Sequence, residues 1–345
     1  MDNNSISILD NFLSDNNFSS LFILADETVL HRYPDFWKQI HSKIPQIIYP
    51  FTAKETNKSI EKATEIWNFM IDRQLDRNTL MLNWGGGITS DLGGFVAANY
   101  KRGIRFINVP TTLLSLIDAS IGGKNGVNIS NLKNGIGTFY FPDLVLKSRY
   151  FLRTLPQEEW MSGFGELLKY ALIANKKIWN EMQTLEEVTY YTIKQEWLQP
   201  AIDFKDNIVS EDPYETGLRK ILNAGHSIGH VIEAVSSRHH RKITHGHAVA
   251  LGLVVESNIA MNHELLSIDS FYNIKNYIKK IYKITRFSEQ EISEMSIFIQ
   301  NDKKKSHNYI SIPLITKIGS AKIENEIKIE ELIAALVNLQ SSFLN

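Results

Sequence analysis

Leu80-Met81-Leu82-Asn83-Trp84-Gly85-Gly86-Gly87, continuing as Ile88-Thr89-Ser90-Asp91-Leu92-Gly93-Gly94, is the most informative stretch for fold class. An apolar run that closes in three consecutive glycines and passes into a helical pattern over 91–100 reads as strand, tight turn and helix. Glycines at such a turn let the backbone approach a ligand closely, and free N–H groups at the helix start favour a phosphate or pyrophosphate. A tight strand-to-helix connection also wants glycine, and the spacing is not the GxGxxG of the common dinucleotide fingerprint. The run alone therefore leaves both readings open.

The same alternation extends to both sides. Upstream, 20–26 (SLFILAD) and 44–50 (IPQIIYP) are apolar, β-branched segments suited to buried parallel strands, and Ile60, Ala63, Ile66, Trp67 and Met70 recur at helical spacing within 60–75. Downstream, 105–110 and 144–146 read as further strands. Alternating strands and helices make this part of the chain α/β. From Pro156 the period is 3.6 over 157–175, 178–208, 218–236, 246–264, 269–282, 289–300 and 329–341, with 309–314 and 320–326 extended. The change of period divides the chain into an α/β domain over 1–155 and a mostly α-helical domain over 156–345.

Composition narrows the chemistry. With 345 residues, 37 Lys+Arg against 38 Asp+Glu and a formal net charge of −1, the chain has no global field to attract nucleic acid. The absence of cysteine excludes disulfide scaffolds, thiolate zinc sites, iron–sulfur clusters and thiol nucleophiles, so a metal must take His, Asp, Glu or water. Met1-Asp2-Asn3-Asn4-Ser5 has neither the basic nor the apolar region of a secretory signal, and no uncharged apolar run of about 20 residues follows. The expectation is a soluble, cytoplasmic protein with no nucleic-acid or membrane partner.

Several clusters carry chemical information. The segment 118–128 (DASIGGKNGVN) with Lys133-Asn134 combines flexible backbone, two cations and several amides, which suits a phosphorylated small molecule but also a solvated loop. Asp118, between Ile117 and Ala119, is not typical surface chemistry. Glu166 and Lys169 share a helix face, a spacing that by itself gives an ordinary surface ion pair. In 223–233 (NAGHSIGHVIE), His226 and His230 lie one helical turn apart, and His245-Gly246-His247 follows. The imidazoles of His226, His230, His245 and His247 can bind a divalent metal together with a carboxylate, and spacing alone makes both His226 and His230 ligands. Arg219 and Asn223 offer a carboxylate clamp or a capping pair. Asp302-Lys303-Lys304-Lys305 reads as a solvated charge cluster.

Taken in order, these motifs resemble the 3-dehydroquinate synthase family of sugar phosphate cyclases, from about Asp26 to Lys304. The matching pieces are GGGITSDLGGF at 85–95, YKRGIRFINVPTTLL at 100–114, DASIGGKNGVN at 118–128, KN at 133–134 and RTLPQEE at 153–159. They continue with GELLK at 165–169, EDPYETGLRKILNAGHSIGHVIEA at 211–234, HGHAVALG at 245–252 and DKK at 302–304.

The resemblance implies a Rossmann-like NAD-binding domain, a helical metal- and substrate-binding domain, and a homodimer. It implies conversion of 3-deoxy-D-arabino-heptulosonate 7-phosphate to 3-dehydroquinate and phosphate, in the shikimate pathway to aromatic amino acids. The route is transient NAD-dependent oxidation at C5, phosphate β-elimination with the leaving phosphate accepting the C6 proton, reduction, and intramolecular aldol closure. The implied cofactors are NAD and a divalent metal, zinc or alternatively cobalt.

By position, the resemblance makes Glu166, His226 and His245 the metal ligands and leaves His230 to proton transfer and substrate contact, overriding the spacing argument. Lys124, Asn134 and Lys304 would hold the substrate phosphate, with Arg102 reaching in from a neighbouring subunit. Lys205, Arg219 and Asn223 would hold the carboxylate, and Asp118 and Lys169 would order the reacting hydroxyls. NAD would contact Asp26, Glu55, Lys58, Gly85, Gly86, Gly87, Asp91, Thr111, Thr112, Lys133, Phe151, Thr154 and Glu159.

The sequence departs from the family pattern at Ser90, Asn125, Leu132 and His247. These changes bear on rate and metal preference and leave the implied ligands and cations in place. The competing readings are another sugar phosphate cyclase, a metal- and NAD-dependent polyol dehydrogenase, and a non-catalytic binding protein on the same scaffold. Retention of Lys205, Arg219 and Asn223 argues against a substrate without a carboxylate, because a buried cationic clamp with no anion is costly.

Overall fold

The apolar runs of the first half become strands because both of their faces are covered. The computed structural model describes residues 3–36, 39–40, 44–130, 132–282, 286–303 and 308–342. Backbone proximity divides the chain into Met1–Pro156 and Gln157–Asn345, and each unit is described by itself.

The first unit runs α1 (Asn3–Ser14), β1 (Leu21–Asp26), α2 (Glu27–Arg32), β2 (Gln46–Phe51), α3 (Ile60–Asp72), β3 (Leu80–Gly85), α4 (Gly87–Asn99), β4 (Phe106–Pro110), β5 (Lys124–Ile129), β6 (Leu132–Phe139) and β7 (Leu144–Val145). Five of these strands form a parallel sheet in the order β2-β1-β3-β4-β7. Successive side chains go to opposite faces. Phe22, Leu24, Met81 and Phe106 pack with Ala63, Ile66 and Met70 of α3 and with Leu92, Phe95 and Val96 of α4. Leu21, Ile23, Leu80, Leu82, Ile107 and Val109 pack with Leu9 and Leu13 of α1 and with Val29 of α2. Burial on both faces is why these strands lack a polar alternation. Pro50, which cannot donate to a ladder, sits on the edge strand β2.

The strand order places β2 on one side of β1 and β3 on the other. In such sheets the crevice at the carboxyl ends of the two diverging strands is the ligand site. Asp26 ends β1 there, and Gly85-Gly86-Gly87 joins β3 to α4. A buried amide relay crosses the sheet behind this edge: Asn83 Nδ2 donates to Asn108 Oδ1 (2.9 Å), and Asn108 Nδ2 donates to the Ser120 carbonyl (3.1 Å). It anchors the π-helical turn over Ser115–Ala119 that carries Asp118.

The second unit contains α5 (Gln157–Ala174), α6 (Lys176–Met182), α7 (Gln195–Glu211), α8 (His226–Arg238), α9 (His245–Asn262), α10 (Ile268–Ile281), α11 (Glu289–Lys303), the antiparallel hairpin β8 (Tyr309–Lys317) and β9 (Ser320–Lys328), and α12 (Ile329–Ser342). No described helix is long and apolar enough to cross a membrane.

Three expectations fail locally. The helix read over 178–208 is broken between Met182 and Gln195. There Thr189 N–H donates to Thr192 Oγ1 (2.9 Å) and the Thr192 hydroxyl donates to the Glu187 carbonyl (3.0 Å), side-chain turn bonds that compete with a helix. The helix read over 218–236 is a 3₁₀ turn, Leu218–Asn223, then a break at Gly225 with φ +79°, then α8. The loop read over 118–134 is largely the hairpin β5–β6.

Candidate active site

Glycine spacing brings two of the site-bearing helices together. A Cβ on Gly165 of α5 would stand 2.0 Å from the Gly246 carbonyl oxygen, and one on Gly246 of α9 would stand 1.7 Å from the Ser162 oxygen. Backbone therefore meets backbone where α5 crosses α9, and the neighbours of these glycines are Glu166 and His245. Thr244 caps α9 by accepting from His247 N–H, so His245 is the first residue of that helix.

Glu166, His226 and His245 each offer one ligand atom, all within 4.8 Å of one another. His226 Nε2 lies 3.3 Å and His245 Nε2 3.2 Å from Glu166 Oε1. The opposite nitrogens settle the tautomers. His226 Nδ1 is 3.1 Å from the Ala224 carbonyl, which can only accept, so Nδ1 carries the proton and Nε2 presents its lone pair. His245 Nδ1 faces the Glu233 carboxylate at 3.2 Å, so it too carries a proton and leaves Nε2 as the nitrogen turned toward Glu166. An imidazole whose far nitrogen donates to a carbonyl or carboxylate is the usual form of a metal ligand.

The charges agree. Burial works against ionisation of Glu166, but Lys169 and His226 hold its carboxyl well below the usual range. Burial would lower His245, yet Glu166 and Glu233 push it up to about 10. The cluster thus demands a positive charge where the three ligand atoms meet, and its donor set fits a divalent metal.

Around this core, His230 lies one turn along α8, its ring centroid 5.2 Å from that of His226. It is outside the converging group of three. Burial, with His226 and His245 beside it, pulls His230 down to about 4. Lys169 is 1% and Glu166 0% exposed, so the pair read from spacing as a surface contact is deeply buried. Lys169 Nζ also stands 4.6 Å over the Tyr170 ring. Lys205 is buried on α7.

Arg219 and Asn223 belong to the 3₁₀ turn. Asp212 shapes the approach by accepting from the N–H groups of Thr216 (2.9 Å), Gly217 (2.8 Å) and Arg219 (3.0 Å). Arg219 donates to the Pro213 carbonyl, and Asn223 Nδ2 donates to Glu215 Oε1 (2.7 Å).

In the first unit, a Cβ on Gly85 would fall 2.1 Å from Thr89 Oγ1, and one on Gly86 2.9 Å from Thr112 Cγ2. Bare backbone is therefore required where β3 enters α4, a cradle that fits a pyrophosphate. Thr111 N–H donates to the Gly85 carbonyl (2.9 Å), which sets Thr111 and Thr112 beside the turn. Asp26 accepts from Thr28 N–H (2.9 Å), and burial raises its carboxyl. Lys58 donates to both Asp91 and Asn134, and Asn128 Nδ2 donates to Glu55 Oε1 (2.8 Å). This joins the helix behind the glycine turn to the hairpin bearing Lys124, Lys133 and Asn134. Arg102 stands at the end of a 3₁₀ turn with φ +69°.

Phe151 is buried in the core cluster with Trp84, and Thr154 ends a 3₁₀ turn. Glu159 lies in the first turn of α5, in the second unit. Lys304 falls outside the described residues.

Two of the departures have clear surroundings. Asn125 Nδ2 donates to the carbonyls of Gly123 (3.0 Å) and Tyr140 (2.8 Å), tying the backbone just before Lys124 to the residue that follows β6. His247 packs its ring on Tyr282, with centroids 4.9 Å apart, and is not one of the three converging groups.

Sequence reasoning missed the part of Glu233. The signal was available, since Glu233 lies seven residues beyond His226 on the same helix and so returns to its face.

Comparison with known proteins bears on the whole chain. The family model described as 3-dehydroquinate synthase N-terminal matches residues 48–162, and the one described as 3-dehydroquinate synthase C-terminal matches 163–305. A 3-dehydroquinate synthase from Parabacteroides distasonis is 34% identical over 340 residues, covering 98% of this chain and 96% of the relative. Among solved structures, a 2-epi-5-epi-valiolone synthase from Streptomyces hygroscopicus subsp. jinggangensis, with NAD+ and Zn2+ bound, superposes with a TM-score of 0.83. It is 24% identical and covers 94% of this chain and 92% of its own. A 2-deoxy-scyllo-inosose synthase complexed with carbaglucose-6-phosphate, NAD+ and Co2+ gives 0.81 at 23% identity, covering 97% and 94%. At these identities the two structures speak for the fold alone. With both halves of one family matched in sequence order and a relative aligned almost from end to end, the chain belongs to the 3-dehydroquinate synthase family.

Proposed function

We propose that this chain converts 3-deoxy-D-arabino-heptulosonate 7-phosphate to 3-dehydroquinate and phosphate, using NAD and a divalent metal, zinc in the first instance. The observation that carries the reading is the meeting of Glu166 Oε1 with two imidazole nitrogens whose tautomers are already fixed for coordination. Two imidazoles and a carboxylate suit zinc, and cobalt fits the same set. When bound, NAD would take hydride from C5 and return it later, and the metal would polarise the oxygen on that carbon.

The chain's residues then have these parts. The Gly85-Gly86-Gly87 turn and Asp91 receive the pyrophosphate of NAD, Asp26, Glu55 and Lys58 its adenosine end, and Thr111, Thr112, Lys133, Phe151, Thr154 and Glu159 the remainder. Lys124, Asn134, Lys304 and a neighbouring subunit's Arg102 fix the substrate phosphate so that its oxygens can take up the C6 proton as it leaves. Lys205, Arg219 and Asn223 hold the carboxylate. Asp118 and Lys169 order the hydroxyls, and His230 moves a proton beside the reacting carbon. The reading includes a cytoplasmic homodimer. The first unit is the NAD-binding domain, and the second binds the metal and substrate.

Incubation with the heptulosonate phosphate, with and without chelator, tests the reading. Phosphate and 3-dehydroquinate should appear in equal amounts at constant bulk NADH, and chelator should stop both. Absence of phosphate release, or net NADH formation from a simple alcohol, would contradict it, the latter in favour of a polyol dehydrogenase.

A further inference from the structure

Glu256 lies three helical turns beyond His245 on α9 and is 2% exposed. His245, Val249, Gly252 and Glu256 recur at intervals of four, three and four, one stripe along the helix. That stripe meets the peptide leading into α8. A Cβ on Gly252 would stand 1.9 Å from the Gly225 carbonyl, and one on Gly225 2.7 Å from the Val249 carbonyl.

At the end of the stripe, Glu256 Oε2 accepts from Gly225 N–H at 2.5 Å. The carbonyl of that same peptide unit is Ala224 O, which accepts from His226 Nδ1. A peptide N–H and its C=O are conjugated, so an acceptor on the N–H side makes the oxygen a better acceptor in turn, and hydrogen bonds in series polarise one another.

We propose that Glu256 is a positioning residue for His226, acting through the peptide that joins Ala224 to Gly225. Its charge strengthens the Ala224 carbonyl's hold on Nδ1–H and thereby strengthens Nε2 as a metal ligand. Each of the two liganding imidazoles then has its own carboxylate, Glu233 directly on His245 and Glu256 on His226 with one peptide between. The inference rests on the reading of His226 as a ligand. It adds that a buried acid with no contact to metal or substrate sets the affinity for the ion.

The test is zinc affinity of the full-length protein, measured by competition with a chromogenic chelator, for wild type, Glu256→Gln and Glu256→Ala. Glu256→Gln keeps an oxygen to accept from Gly225 N–H but loses the charge. It should bind zinc about 10-fold more weakly, at the lower end of the ~10–100-fold losses typical when a group behind a metal ligand is changed. The melting temperature of its zinc-free form should match wild type, and Glu256→Ala should lose more affinity and also melt lower. Wild-type zinc affinity in Glu256→Gln would overturn the inference and leave Glu256 a helix-start anchor only.

A second measurement needs no variant. Nitrogen-15 NMR of the zinc-loaded wild type should find His226 protonated on Nδ1 and bound through Nε2, and the reverse arrangement would also overturn it. Failure of wild type to bind zinc would instead refute the ligand set itself, so the two failures are distinguishable.

Discussion

Asp212 holds Arg219 in place through the backbone rather than the guanidinium. Burial alone would raise its carboxyl, but the N–H groups of Arg219, Gly217 and Thr216 bring it down to about 2. A folded value below the unfolded one of about 4 means that the stabilisation is complete above pH 4 and is lost as pH falls toward 2. Urea denaturation of wild type and Asp212→Asn across that window should therefore show a stability gap at neutral pH that closes on acidification. A gap independent of pH would contradict this.

Individual side chains were unevenly legible in the sequence. The spacing of Glu166 and Lys169 gave their shared face but not what covers it, because burial is set by the elements packed against α5 and not by α5 itself. Spacing likewise made His226 and His230 equivalent. The distinction depends on where Glu166 and His245 arrive, which involves other helices.

Glycines govern how the helices of the site meet. Gly165 and Gly246 let α5 and α9 touch backbone to backbone, and a side chain at either would clash with the backbone of the facing helix, next to Glu166 and His245. Gly246→Ala should cost about 1–3 kcal/mol of stability, the usual range for an overpacked contact, and should reduce bound zinc in the same protein. Equal stability and zinc content in the variant would count against the crossing as the device that assembles the ligands. Strands β1, β3 and β4 were readable because a doubly covered strand is a plain apolar run. The breaks at 183–194 and at Gly225 were not, since helical periodicity continues across them while hydroxyl turn bonds and a left-handed residue interrupt the backbone. The hairpin β5–β6 was hidden by its glycines and amides, which favour turns as readily as strands.

For the assembled protein, the proposed reach of Arg102 into a neighbouring subunit has a distinctive consequence. Mixing Arg102→Ala chains with Glu166→Gln chains should restore activity, because a mixed dimer contains one site with both groups intact. If Arg102 served its own chain, every mixed site would lack one group and no activity would return. The order of motifs along the chain made family membership legible before any geometry was known. The coordination set was less so: it joins a helix near the middle of the chain to two later ones, and no local pattern encodes that meeting. Metal analysis of purified wild type, Glu166→Gln, His226→Ala and His245→Ala addresses it. Wild type should carry close to one zinc per chain and each variant little or none. Undiminished zinc in all three variants would show that the ion, if held at all, is held elsewhere.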